Sequence, residues 1–61
     1  MFPKFIELTA PDGTKLLVNT FHIAWIEPKK EGSVIISNFV HYSLSKKVKE
    51  SYEQVKMMMQ A

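Results

Sequence analysis

Cysteine is absent from this chain, and so is arginine: all eight basic residues are lysines. Without a thiol there is no disulfide framework, no thiolate metal site, no catalytic cysteine and no iron–sulfur cluster. Without a guanidinium the chain lacks the two-pronged donor that most often reads guanine edges, carboxylates and phosphates. Its two glycines, Gly13 and Gly32, stand far apart and each sits beside a turn, which excludes a glycine-rich phosphate cradle. Apolar runs such as Leu16-Leu17-Val18 and Val34-Ile35-Ile36 fall far short of the roughly 18 residues that a membrane-crossing helix needs. Residues Met1 to Lys4 show neither a basic region followed by an apolar stretch nor a small-residue cleavage site. A cytoplasmic protein with no membrane contact is the expectation.

What remains is the composition of a folded chain, with 46% hydrophobic and 23% charged residues. The formal charge of +2 is too small to demand a polyanionic partner. At 61 residues the chain is one small domain. Domains of this size bury only about 60% of the surface their unfolded chains expose, and they usually need a disulfide, a metal or a partner subunit. With the first excluded by composition, oligomerisation is the expected stabiliser.

Phe5 to Thr9 is rich in strand formers, flanked by Pro3 and by Ala10-Pro11-Asp12-Gly13. There proline suits the second turn position and glycine the left-handed residue that follows. A hairpin is expected, with its second strand near Lys15 to Asn19. That strand is apolar on both faces through Leu16, Leu17 and Val18, so it asks for cover on both sides. His22 to Glu27 reads as the third strand, with Ile23 and Trp25 on one face and Ala24 and Ile26 on the other. Pro28 would end its pairing, Lys29 to Gly32 would turn, and Val34-Ile35-Ile36 would begin strand four. A fifth strand falls somewhere in Val40 to Lys49.

Two helix starts compete. A start near Lys46 gathers Val48, Tyr52, Val55 and Met59 into a stripe, but it crowds three lysines onto the positive end of the helix dipole. A start after Ser51 gives a capping box, with Gln54 returning a bond to the cap and Glu53 in the first turn. The second is preferred, giving a helix over roughly Tyr52 to Gln60 that lays Tyr52, Val55 and Met58 or Met59 on the sheet. The fold class is therefore α+β: an antiparallel meander of four or five short strands followed by one C-terminal helix. One short helix covers one face of such a sheet, and a second copy of the chain is the simplest cover for the other.

The order of the short pieces carries a resemblance. Phe5-Ile6-Glu7-Leu8-Thr9, Asp12-Gly13, Leu17-Val18-Asn19, Ile23 to Glu27 and Val48-Lys49-Glu50-Ser51-Tyr52-Glu53-Gln54-Val55 together resemble the very small bacterial and phage proteins that include the flagellar FlbD-like (SwrD-like) family. The likeness spans nearly the full chain and implies a non-catalytic protein of the same fold.

Candidate chemistry is sparse. A metal site would need His22 and His41 to converge with carboxylates such as Glu7 or Glu27, and no two histidines stand at helical spacing, so surface histidines without a metal or cofactor are expected. Ser33, Ser37, Ser43, Ser45 and Ser51 stand in turn, strand or cap contexts and none in a nucleophile elbow. A catalytic site is not expected. Lys46, Lys47 and Lys49 form a basic run near Phe39 and Tyr42, a pairing able to hold a nucleotide or single-stranded nucleic acid by charge and stacking. The competing reading is an edge strand guarded by lysines against strand addition. Trp25 is either a core anchor or an aromatic hot spot between subunits, with Ile23, Val34 and Ile36 beside it. Of Met57, Met58 and Met59, at least one must face solvent. The expected function is a non-catalytic binding or regulatory module that acts as a homo-oligomer through protein contacts; the alternative is an oligomeric phage-type protein that sequesters an anionic small molecule.

Overall fold

The structure is a computed structural model and describes residues 4–60. Pro3, expected to flank the first strand, lies outside the described residues, as do Met1 and Phe2 of the segment read for targeting signals. The element order is β1 (Phe5–Thr9), β2 (Lys15–Asn19), a 3-10 turn (Thr20–His22), β3 (Ile23–Pro28), β4 (Ser33–Asn38), β5 (Ser43–Val48) and α1 (Tyr52–Gln60). The α+β class and the helix bounds agree with the sequence reading.

The first hairpin forms where the turn residues demand it. The Gly13 N–H donates to the Ala10 carbonyl at 2.9 Å across Pro11 and Asp12, and Gly13 takes φ +94°. The Asp12 carboxylate accepts the Thr14 N–H at 2.9 Å, which also holds its carboxyl below the usual value. Phe5 pairs with Asn19 and Thr9 with Lys15, so Ile6, Leu8, Leu16 and Val18 share one face.

The strands do not make one sheet. They make a two-stranded sheet, β1-β2, and a three-stranded sheet in the order β3-β4-β5. His22, expected at the head of strand three, belongs instead to the 3-10 turn that separates them. Asn19 caps this turn by accepting the Phe21 N–H at 3.0 Å, and the Thr20 N–H and hydroxyl both donate to the Lys4 carbonyl at 2.9 Å. These bonds redirect the chain, so the hairpin packs onto the larger sheet instead of extending it. The core is Ile6 and Leu8 of β1, Ile35 of β4, Val48 of β5 and Val55 of α1. One face of the large sheet is thus covered by the hairpin and helix together, and the cover that sequence reasoning assigned to the helix alone is corrected.

A bulge corrects a second expectation. Ile23 pairs with Ser37, but Trp25 pairs with Ile36, so Ala24 is the extra residue. The strict alternation that placed Ile23 beside Trp25 fails there. Ile23 joins Ile26 against the core, while Trp25 turns to the outer face at 53% exposure. Pro28 does not end the pairing either, since it stands opposite Ser33. The Lys29 N–H donates to the Gly32 carbonyl one position beyond, so the alternating ladder puts Pro28 at a non-hydrogen-bonded pair, where a missing N–H costs nothing.

Ser51 caps the helix as expected: its hydroxyl accepts the Gln54 N–H at 3.2 Å and its own N–H donates to Gln54 Oε1 at 2.8 Å. Val55 is fully buried, Met58 and Met59 pack on the core, and Met57 is 70% exposed. A junction that sequence reasoning missed locks β5 and the cap onto β1. The Lys49 N–H donates to the Thr9 carbonyl at 2.8 Å, while the Thr9 N–H and hydroxyl donate to the two carboxylate oxygens of Glu50, each at 2.8 Å. The buried Ser33 hydroxyl donates to the Glu50 carbonyl at 2.8 Å. Gly32, with φ +74°, allows this approach; a Cβ there would collide with the Val48 carbonyl.

Candidate interaction site

Cross-strand pairing sorts the large sheet into two faces. Trp25, Ile36 and Ser45 align across the outer face, and Glu27, Val34 and Lys47 align beside them. Trp25 is held by its Nε1–H, which donates to Glu27 Oε2 at 3.0 Å, and Glu27 is approached on its other oxygen by Lys29 at 3.4 Å. The indole hydrogen bond, then the lysine, hold the Glu27 carboxyl below its usual range. The result is an exposed aromatic ring, tethered to Glu27, on the same sheet face as the half-buried Val34 and Ile36. Of the four apolar residues expected near an interface, Trp25, Val34 and Ile36 do share a surface, while Ile23 belongs to the core side. The core-anchor reading of Trp25 is excluded by its exposure.

The second feature is a groove of about 560 Å³ between β2 and β5. Leu16, Leu17 and Val18 form one wall, Leu44 and Lys46 the other, and Ile35 lies at the floor. At its mouth the His22 ring stacks on Phe39 and Phe39 on Tyr42, each pair with centroids 5.0 Å apart. Sequence reasoning placed Phe39 and Tyr42 together but missed His22, because only the 3-10 turn brings that ring over. It also left Leu17 and Leu44 out of the site, although the unbroken apolar run of β2 was a signal for Leu17.

The basic run does not converge on this stack. Lys46 pairs with Ile35 and so faces the groove, Lys47 pairs with Val34 and faces outward, and Lys49 lies past the strand with its N–H engaged by Thr9. Lys47 and Lys49 line a separate shallow pocket with Pro11 and Glu31, so the stacking groove beside Tyr42 keeps one lysine of three. His41 is exposed, and among the described residues no three histidine or acidic side chains gather into a metal-holding group. Among them, too, no helix is long and apolar enough to cross a membrane.

No family model, curated protein or solved structure matches the chain. Its surfaces are therefore read on their own chemistry. Among the described residues nine large apolar side chains are exposed, and fewer than that form the core. The arrangement can bury apolar partners.

Proposed function

We propose that the chain is a non-catalytic binding module that works as a homo-oligomer through protein contacts. The observation that carries this reading is the outer sheet face, on which an exposed Trp25 shares a side with the half-buried Val34 and Ile36. An exposed tryptophan among aliphatic neighbours on one sheet face is the usual make-up of an interface hot spot. The resemblance to FlbD-like proteins, which implies a non-catalytic character, is part of the same proposal, and so is a cytoplasmic setting. Sequestration of an anionic nucleotide is less favoured, because the groove walls are apolar and Lys46 alone of the basic run lines it.

Sedimentation at about 100 µM tests the reading, a range in which micromolar contacts are populated. The wild-type chain should sediment as an oligomer, and Trp25→Ala, whose ring is outside the core, should keep its fold while dropping to a lower order. A monomeric wild-type chain overturns the reading; an unchanged order in a folded Trp25→Ala variant removes the outer face from it.

A further inference from the structure

Each sheet ends in edge strands, and the edges of β2 and β5 differ in a way that selects a partner. On the hairpin, the Thr20 N–H meets the Lys4 carbonyl and the Ala10 N–H meets the Thr14 carbonyl. Even-numbered residues of β2 therefore spend their backbone groups on β1, and by alternation those of Lys15, Leu17 and Asn19 point to the open edge. The same logic applies to β5. The Phe39 N–H meets the Tyr42 carbonyl, so Ser43, Ser45 and Lys47 point outward, as the Lys49 N–H does where it reaches Thr9.

The β5 edge is guarded. Antiparallel self-pairing there would gather Lys46 and Lys47 of both copies around one axis, which like-charge repulsion opposes. The β2 edge has no such guard: its sequence is Lys-Leu-Leu-Val-Asn, its one charge is at the end, and Leu17 in the middle is 71% exposed. The strand is also self-complementary. With a two-fold axis at Leu17, Lys15 stands opposite Asn19 of the second copy and Leu16 opposite its Val18, so no lysine meets a lysine. Leu17 of each copy then meets its mate in a hydrogen-bonded pair, and Lys15 meets Asn19, whose N–H remains free to donate although its carbonyl serves the 3-10 turn.

We propose that two copies of this chain pair antiparallel through their β2 edges about an axis at Leu17, forming a continuous β1-β2-β2-β1 sheet. The inference rests on the homo-oligomer reading above and names one of its contacts. It also accounts for the groove, which runs along the same edge. Leu16 and Val18 of the second copy extend its apolar wall on the side opposite Leu44. The fit is isologous, so the β2 contact closes at two copies.

The absence of cysteine makes the test clean. Opposed residues of a hydrogen-bonded antiparallel pair have Cα atoms about 5.5 Å apart, within disulfide range. Under mild oxidation Leu17→Cys should form a covalent dimer about tenfold or more faster than Val40→Cys, a control at a 92% exposed turn residue that depends on random collision. Leu17→Lys should halve the sedimenting mass while keeping the wild-type circular dichroism, and mixing it with Leu17→Glu should restore the larger species. A wild-type oligomer that Leu17→Cys does not trap and Leu17→Lys does not split overturns the β2 seam and leaves the oligomer reading standing. A monomeric wild-type chain overturns both, and leaves the β2 edge to an extended segment of another protein.

Discussion

The Glu50 side chain ties the helix cap to β1, taking both the N–H and the hydroxyl of Thr9. Burial alone would raise its carboxyl, but the N–H and hydroxyl of Thr9 outweigh that and hold it below its ordinary value of 4.5. A depressed carboxyl stabilises the fold above its unfolded value and loses that contribution as pH falls through the carboxylate range toward the lowered one. Denaturant midpoints between pH 7 and pH 3 should therefore fall more steeply for the wild type than for Glu50→Gln. At pH 7 that variant gives up one of two charge-assisted acceptors and should lose about 1–2 kcal/mol. Equal pH slopes in the two proteins would show that the Thr9 clamp does not govern acid stability.

At the scale of the element, the α1 start decides the register of everything between Asn38 and Ser51. Ser51→Ala removes the hydroxyl that accepts the Gln54 N–H and should cost about 1 kcal/mol in chemical denaturation. Ser45→Ala, on the exposed outer edge of β5, should change stability by a few tenths of that or less. A larger loss at Ser45 would be inconsistent with the capping geometry. The cap was legible because Ser51 and Gln54 are local to one another. The Ala24 bulge was not, since no residue type requires it; it arises because Ile23 and Ile26 must both reach a core whose floor is Ile35.

For the molecule as a whole, a small core and a wide apolar surface belong together. If association stabilises the folded subunit, its thermal midpoint must depend on protein concentration, because mass action favours the assembled state. We expect Tm to rise steadily between about 5 and 500 µM for the wild type and to flatten for Leu17→Lys. Independence of concentration in the wild type would place these apolar side chains on a monomer's surface. The pairing of Phe39 with Tyr42 was readable from the chain, yet the destination of the three lysines was not. Alternation sends Lys46 and Lys47 to opposite faces only once the strand is known to run from Ser43 to Val48.

The elements themselves were determined locally. Pro11, Asp12 and Gly13 set the first turn, Gly32 the second, and Ser51 with Gln54 the helix, each through contacts between residues a few positions apart. How those elements divide was decided by tertiary structure. One meander and two packed sheets satisfy the same turns and the same strand propensities. The choice between them falls to long-range bonds, Thr20 to Lys4 and Lys49 to Thr9, and to the burial of Ile6 and Leu8 against Ile35 and Val48. Those contacts join residues far apart in the chain, and they decide which face of Trp25 and which edge of β2 remain open to a partner.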